Sequence, residues 1–240
     1  MLLSKMPYGE SLTEQELLAI KQQQLHLREF VITQDALPSI VQTVAGVDVA
    51  YAKEENRLVA AVAVLDAQSL ELMQVASFQG EATFPYIPGL FSFRELPAVL
   101  GALEKLVTLP DLIVCDGQGL AHPRRFGLAC HLGVVTGIPT IGCAKTRLLG
   151  AYEPLAFNRG DYQNLVDNCE VVGRALRTQT GKNPVFVSVG HKVSLETATE
   201  WVLRLAPTYR LPETTRAADH AVKTLLHAGG ATNEINNAAK

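Results

Sequence analysis

Three acidic residues of this sequence occupy places where an ordinary carboxylate is costly. Asp48 interrupts the apolar run VAGVDVAYA in its middle, where a charge needs a partner, a wet cleft or a metal. Asp116 ends the apolar run LIVC and is followed by Gly-Gln-Gly, and ligands collect at such strand C-terminal edges in α/β sheets. Glu95 lies just inside a helical segment that leaves the loop PYIPG. Alone, Glu95 could simply favour a helix N-terminus, and Asp48 alone has a structural explanation as ready as a functional one. Together they suggest more. Oxygen-only ligands suit a hard cation, Mg²⁺ or Mn²⁺, which keeps several waters and accepts phosphate oxygens. Two such ions could activate a water and stabilise a leaving 3′-oxygen in phosphodiester hydrolysis.

Basic residues follow the same apolar runs, as His122-Pro123-Arg124-Arg125, Lys145-Thr146-Arg147 and His191-Lys192. Each cluster comes after an expected strand, so all three should open on one edge of the sheet. Any one of them is ordinary solvated surface. Three beside a carboxylate site favour a bound polyanion, with Lys145 the best candidate for supporting a scissile phosphate. The loop Phe84-Pro85-Tyr86-Ile87-Pro88-Gly89 is stiffened by its prolines. Packing explains Phe84 and Ile87, whereas Tyr86 suits either packing or wedging between bases.

These residues need elements to position them. The spacing of Ser11 and Glu14 predicts a capped helix over about residues 12–30, with Lys21-Gln22-Gln23-Gln24 largely on a solvated face. Thr43–Ala52, Leu58–Leu65 and Leu70–Phe78 read as strands of an antiparallel meander with short polar turns. A helix follows the PYIPG loop and carries Leu96, Val99, Leu100, Leu103 and Leu106. Leu112–Cys115 reads as a buried parallel strand, and a helix near Phe126–Val135 with a strand at Thr140–Cys143 completes a βαβ-like unit. A strand at Val185–Val189 and a helix from Ser194 to Leu205 come next. The tail from about 227 to 240 is expected to be disordered. This order implies an α/β fold, a mixed sheet covered by helices. In a βββαβ layout the first and fourth strands are neighbours, which would bring Asp48, Asp116 and Glu95 towards one point.

The chain has 240 residues, 48 % hydrophobic and 19 % charged, which suits one sizeable domain and gives no bias towards disorder. Its net charge of −3 gives no support to nucleic-acid binding, although acids gathered on cations would leave a separate basic groove. The four cysteines show no zinc spacing, and Cys115, Cys130 and Cys143 sit in apolar runs as buried small hydrophobes would. The N-terminus does not read as a signal peptide and no run is long enough to span a bilayer, so the expected location is cytoplasmic. A P-loop is excluded, because no GxxxxGK[ST] occurs.

FPYIPGLFSFRE, VCDGQGLAHPRRFGLACHLG, TIGCAKTRL, VGHKVS and YRLPETTRAAD resemble, in order and spacing, the motifs of endonuclease V, the deoxyinosine-directed repair nuclease. The resemblance runs from about Ala45 to Asp219. It implies a ribonuclease H-like fold with a five-stranded central sheet, Mg²⁺ dependence with Mn²⁺ as substitute, and hydrolysis of the second phosphodiester bond 3′ to inosine. Carried onto this chain, it makes Asp48, Glu95 and Asp116 the catalytic metal-binding acids and Tyr86 the strand-separating wedge. His122 and Lys145 fall near the scissile phosphate, Gly89 beside the lesion pocket, and Asp219 close to the metal. Arg124, Gln118 and His191 complete the expected substrate contacts. Gln118 is a departure, since the family pattern is most often DGHG, and a glutamine cannot take a role that needs a titratable imidazole.

The expected partner is inosine-containing DNA, single- or double-stranded, bound by a monomer with no membrane contact. An inosine-specific endoribonuclease is the alternative, since only a contact to the 2′-OH separates the two. A non-catalytic nucleic-acid binder is more remote, because acids facing phosphate would give it nothing.

Overall fold

Period-two alternation and small side chains build the sheet. The structure, a computed structural model, describes residues 12–52 and 57–237, and side chains as far as residue 227. Helix α1 (Glu14–Arg28) precedes β1 (Thr43–Tyr51), β2 (Arg57–Asp66) and β3 (Leu72–Glu81), which form the expected antiparallel meander. Helix α2 (Phe91–Leu103) leads to β4 (Leu112–Cys115), and α3 (Leu128–Thr136) leads to β5 (Thr140–Ala144). Then come β6 (Tyr162–Asp167), β7 (Glu170–Leu176), β8 (Val185–His191), α4 (Leu195–Arg204) and α5 (Glu213–Asn237).

All of the strands join one eight-stranded sheet, in the order β3-β2-β1-β4-β5-β8-β7-β6. The expected five-stranded central sheet is its β3-to-β5 part, and the strand expected at Val185–Val189 is β8. The correction is that β8, β7 and β6 extend the sheet antiparallel from the β5 edge. The β6 segment YQNLVD is polar enough to pass for loop. It pairs with β7 through a tight turn in which Asn168 and Cys169 have φ of 52° and 62°.

The sheet divides two cores. Val47, Leu96, Val99 and Leu132 pack on the α2–α3 side, and Val44, Val187, Val202 and Ala218 on the α4–α5 side. Each fully buried valine or leucine among them contributes roughly 1.5–3 kcal/mol. Cys115, Cys130 and Cys143 are buried as expected, and Cys169 is exposed. Among the described residues no helix is long and apolar enough to cross a membrane.

Three local readings need correction. Helix α1 is capped by Thr13 rather than Ser11, with Glu16 closing the box, because that pair repeats the same spacing two residues later. Ser11 lies outside the described residues. Gln22 and Gln23 are exposed, but Gln24 is fully buried. The last helix continues to Asn237, past the point where the apolar pattern fades and a disordered tail was expected.

Pairing of β1 with β4 is parallel, from Val44↔Leu112 to Val47↔Cys115, so Asp48 and Asp116 occupy the next rung. Along β1, Val47 and Val49 face the α2–α3 core, and alternation turns Asp48 towards α5. The start of α5 crosses β1 at Gly46, where a Cβ would lie 2.0 Å from the Thr214 carbonyl oxygen. Gly46→Ala should therefore cost about 1–3 kcal/mol of stability in urea denaturation. Gly117→Ala, whose Cβ would meet only Leu128 at 3.8 Å, should cost much less. Equal losses would show that α5 is not held at Gly46.

Candidate active site

The site begins at the rung beyond the β1–β4 ladder. Asp48 projects from β1 opposite Ala61 of β2, among small side chains that leave room for a carboxylate. Asp116 is the first residue past β4, and Glu95 comes from the second turn of α2. Asp219 comes from α5, between Ala218 in the core and an ion pair at 2.6 Å with Lys223. Lys145 is the first residue past β5 and forms a short ion pair with Asp116. Strands β4 and β5 are parallel, so both residues leave the sheet at one edge. Arg210 steadies Lys145 by donating to its backbone oxygen at 2.6 Å.

The acids feel one another. Burial pushes Asp48 up to about 6, with the charges of Asp116 and then Asp219 adding to it, against the Val49 amide and Lys145. Burial, Asp48 and Asp116 push Glu95 up to about 8, despite a hydrogen bond from Tyr51 Oη at 3.3 Å and the nearby Arg94. Burial opposes the charge of Lys145, but Asp116, Asp48 and Asp219 outweigh it and raise its pKa.

Among the described residues no group of three or more His, Cys, Asp or Glu side chains is already gathered to hold a metal ion. Asp116 turns to Lys145, Asp219 to Lys223 and Glu95 to Tyr51. The donor set nevertheless fits a hard divalent cation. It is all carboxylate oxygen, its members destabilise one another as anions, and an ammonium already stands where positive charge is needed.

Next to the acids a cleft of about 410 Å³ opens between the PYIPG loop, the Asp116–Gln118 turn and the Lys145–Leu148 loop. Gly89, Ser92, His122 and Leu128 also line it. Tyr86 stands at its rim, 68 % exposed, in an edge contact with Phe91. The Asp116–Gln118 turn folds back over β5, since a Cβ on Gly142 would lie 2.5 Å from the Gly119 nitrogen. His122 is buried, and its Nδ1 accepts the Arg124 amide at 3.2 Å. Burial and then the Arg124 charge push it down to about 4, so it is neutral at physiological pH.

Three expected substrate contacts are otherwise engaged. Arg124 donates to Gln24 and to the Gly89 oxygen inside the protein, which takes its guanidinium away from phosphate. Gln118 lines the cleft, but its amide donates to the Thr146 oxygen at 3.1 Å and its own oxygen is buried without a partner. His191 is not at the site. Because β8 runs antiparallel to β5, pairing His191 with Thr140, the His191-Lys192 cluster opens on the edge opposite Lys145. There His191 Nδ1 accepts the Ile32 amide, and Lys192 donates to the Gly137 oxygen.

Sequence reading also missed Tyr51 and Ser92. Tyr51 binds Glu95 from 44 residues away, and Ser92 pairs with buried His131 at 3.0 Å across 39 residues. Nothing in either local sequence signals these partners.

Known proteins place this geometry. The endonuclease V family model matches residues 25–220. Endonuclease V of Trichormus variabilis is 52 % identical over 213 residues, covering 89 % of this chain and 95 % of that protein. The crystal structure of endonuclease V from Streptomyces avermitilis is 49 % identical with a TM-score of 0.85, covering 94 % of this chain and 98 % of that one. Ciona intestinalis endonuclease V, solved with a 23mer DNA containing an inosine followed by a ribo-adenosine, is 27 % identical with a TM-score of 0.81. It covers 90 % of this chain and 99 % of that one. With the family model, the fold and these relatives in agreement, this chain belongs to the endonuclease V family and is an endonuclease.

Proposed function

We propose that this endonuclease repairs deaminated adenine by hydrolysing the second phosphodiester bond 3′ to deoxyinosine. The observation that carries this reading is a shared wall. Asp116-Gly117-Gln118 borders both the acid cluster and a cleft able to receive one base, with an exposed aromatic at the cleft rim. The inosine-containing strand bound by the Ciona relative supports the lesion assignment.

Asp48, Glu95 and Asp116, with Asp219 beside them, would hold Mg²⁺, for which Mn²⁺ substitutes. When bound, the cation supplies charge neutralisation and an acidified water for attack on phosphorus. The chain's own residues do the rest. Lys145 exchanges Asp116 for a non-bridging phosphate oxygen, a charge-assisted contact that fixes the scissile group. His122 is neutral and adds no charge there, and with Nδ1 accepting the Arg124 amide its one N–H would reach the phosphate only by leaving the Gly89 backbone. Tyr86 fills the gap left in the stack when the base turns into the cleft. The water oxygen bonds to phosphorus, the bond to the 3′-oxygen breaks, and the departing oxygen takes up a proton. No side chain becomes covalently attached. Inosine in RNA is a second reading, favoured by the ribo-adenosine beside inosine in the Ciona complex.

Matched DNA, RNA and hybrid strands, each with one inosine, separate the two readings when incubated with the enzyme and Mg²⁺. The expected product is one cut at the second bond 3′ to inosine, fastest on DNA. Faster cleavage of RNA would reverse the assignment, and no inosine-dependent cut would remove it. Asp48→Asn, Glu95→Gln and Asp116→Asn should each slow single-turnover cleavage roughly a thousandfold. Near-normal turnover in a folded variant would take that residue out of the site.

The raised acids also predict a pH signature. Their folded pKa values of about 6 and about 8 exceed the ordinary 3.8 and 4.5. Without metal, this pair's contribution to stability is complete below pH ~4 and is lost as pH rises through 6 and 8. Mg²⁺ needs the ionised carboxylates, so its affinity should rise over the same interval. Melting curves should show a larger Mg²⁺-induced increase in Tm at pH 8.5 than at pH 5.5. A pH-independent increase would place the cation elsewhere.

A further inference from the structure

Helix α1 does not line the cleft, yet it delivers one fully buried polar side chain, Gln24, to the back of the cleft wall. The Gln24 amide donates to the Phe126 oxygen at 2.8 Å and to the Gly89 oxygen at 3.1 Å. Its own oxygen accepts Arg124 Nε. Arg124 Nη2 donates at 2.5 Å to the same Gly89 oxygen, and His122 has a further hydrogen bond with the Gly89 backbone. Two segments 100 residues apart thus converge on one carbonyl of a third.

That carbonyl ends the loop that carries Tyr86. Gly89 is left-handed, with φ +79°, and a Cβ there would lie 2.6 Å from Arg124 Nη2. The turn closes on itself through the Leu90 amide, which donates to the Ile87 oxygen at 2.9 Å. Beneath it, Leu90 and Phe93 are buried, with Leu17 and Ile20 of α1 against them. Apolar packing alone would let the turn slide. Directional bonds from a buried carboxamide fix its height and rotation.

We propose that Gln24, together with Arg124, is a positioning residue that presets the Pro85–Gly89 turn so that Tyr86 enters duplex DNA without the loop yielding. This rests on the reading of Tyr86 as the wedge. A ring pushed against stacked bases transmits force back to its loop, and a loop held in its working shape beforehand loses no binding free energy to ordering. Single-stranded inosine needs no such push.

The test uses Gln24→Met, which keeps length and loses every polar contact, and Gln24→Glu, which keeps only the acceptor for Arg124. Gln24→Met should raise KM for an inosine duplex roughly tenfold while changing KM on single-stranded inosine less than about twofold. Its kcat should stay near wild type on both substrates, and Gln24→Glu should fall between Met and wild type. In a Tyr86→Ala background, Gln24→Met should leave the duplex-to-single-strand ratio unchanged. Equal losses on both substrates, or a fall in kcat alone, would mean a merely structural role and would overturn the inference.

Amide exchange reads the brace without reference to activity. The Leu90 amide should exchange faster in Gln24→Met, and unchanged protection would refute the brace even if inosine is the substrate. Conversely, wild type that fails to cut inosine strands would sink the functional reading, while fast Leu90 exchange would leave the brace standing. Should Gln24→Met fail to fold, Arg124→Lys keeps the charge, loses the forked reach, and should give the same pattern of KM and exchange. A wild-type pattern in that variant would overturn the pairing.

Discussion

Carboxylates that repel one another have to be held together by something stronger than their repulsion. Here that is the backbone ladder between β1 and β4. The parallel register from Val44↔Leu112 to Val47↔Cys115 leaves Asp48 and Asp116 no choice of level. β2 bonds the outer edge of β1 and β5 that of β4, so the acids cannot separate without breaking the centre of the sheet. The strain is relieved chemically instead. Asp48 and Glu95 retain protons further up the pH scale than free acids do, and Lys145 lies against Asp116.

Glycines make this closeness possible at two places. Gly46 lets the start of α5 rest on β1, which brings Asp219 to the side of the sheet that Asp48 faces. Gly142 lets the Asp116–Gln118 turn fold back over β5 towards Thr146. The cleft follows from this second approach, since its walls are that turn, the Lys145–Leu148 loop and the PYIPG loop.

The basic residues divide by task in a way that composition conceals. Arg124, Arg125, Arg210 and Lys192 all donate to carbonyl oxygens within the protein, and Arg125 also pairs with Asp167 and Glu170. Lys145 and Arg147 are exposed beside the cleft. The guanidinium groups that look like a phosphate clamp in HPRR therefore hold loops, because a planar fork of donors satisfies several buried carbonyls at once. A chain of net charge −3 can serve a polyanion in this way, through a few placed cations rather than a basic surface.

The sequence by itself determined the elements whose signals are local. The meander, the buried LIVC strand, the Ser194 cap and the three buried cysteines follow from alternation, apolar runs and capping chemistry. It also singled out Asp48, Asp116 and Glu95, because a carboxylate in an apolar run announces itself through the cost of its burial. Tertiary structure alone decided what depends on direction and distance. The antiparallel entry of β8 sent His191 to the far edge, although its sequence pattern is the same as that of a parallel strand. The β6–β7 hairpin stayed hidden because half of its residues face solvent and it depends on β8 for pairing. Gln24 read as one of several solvated glutamines, and only its partners 65 and 102 residues away make it a buried brace. A hydrogen bond across that separation leaves no periodicity in the chain, so only the folded geometry could reveal it.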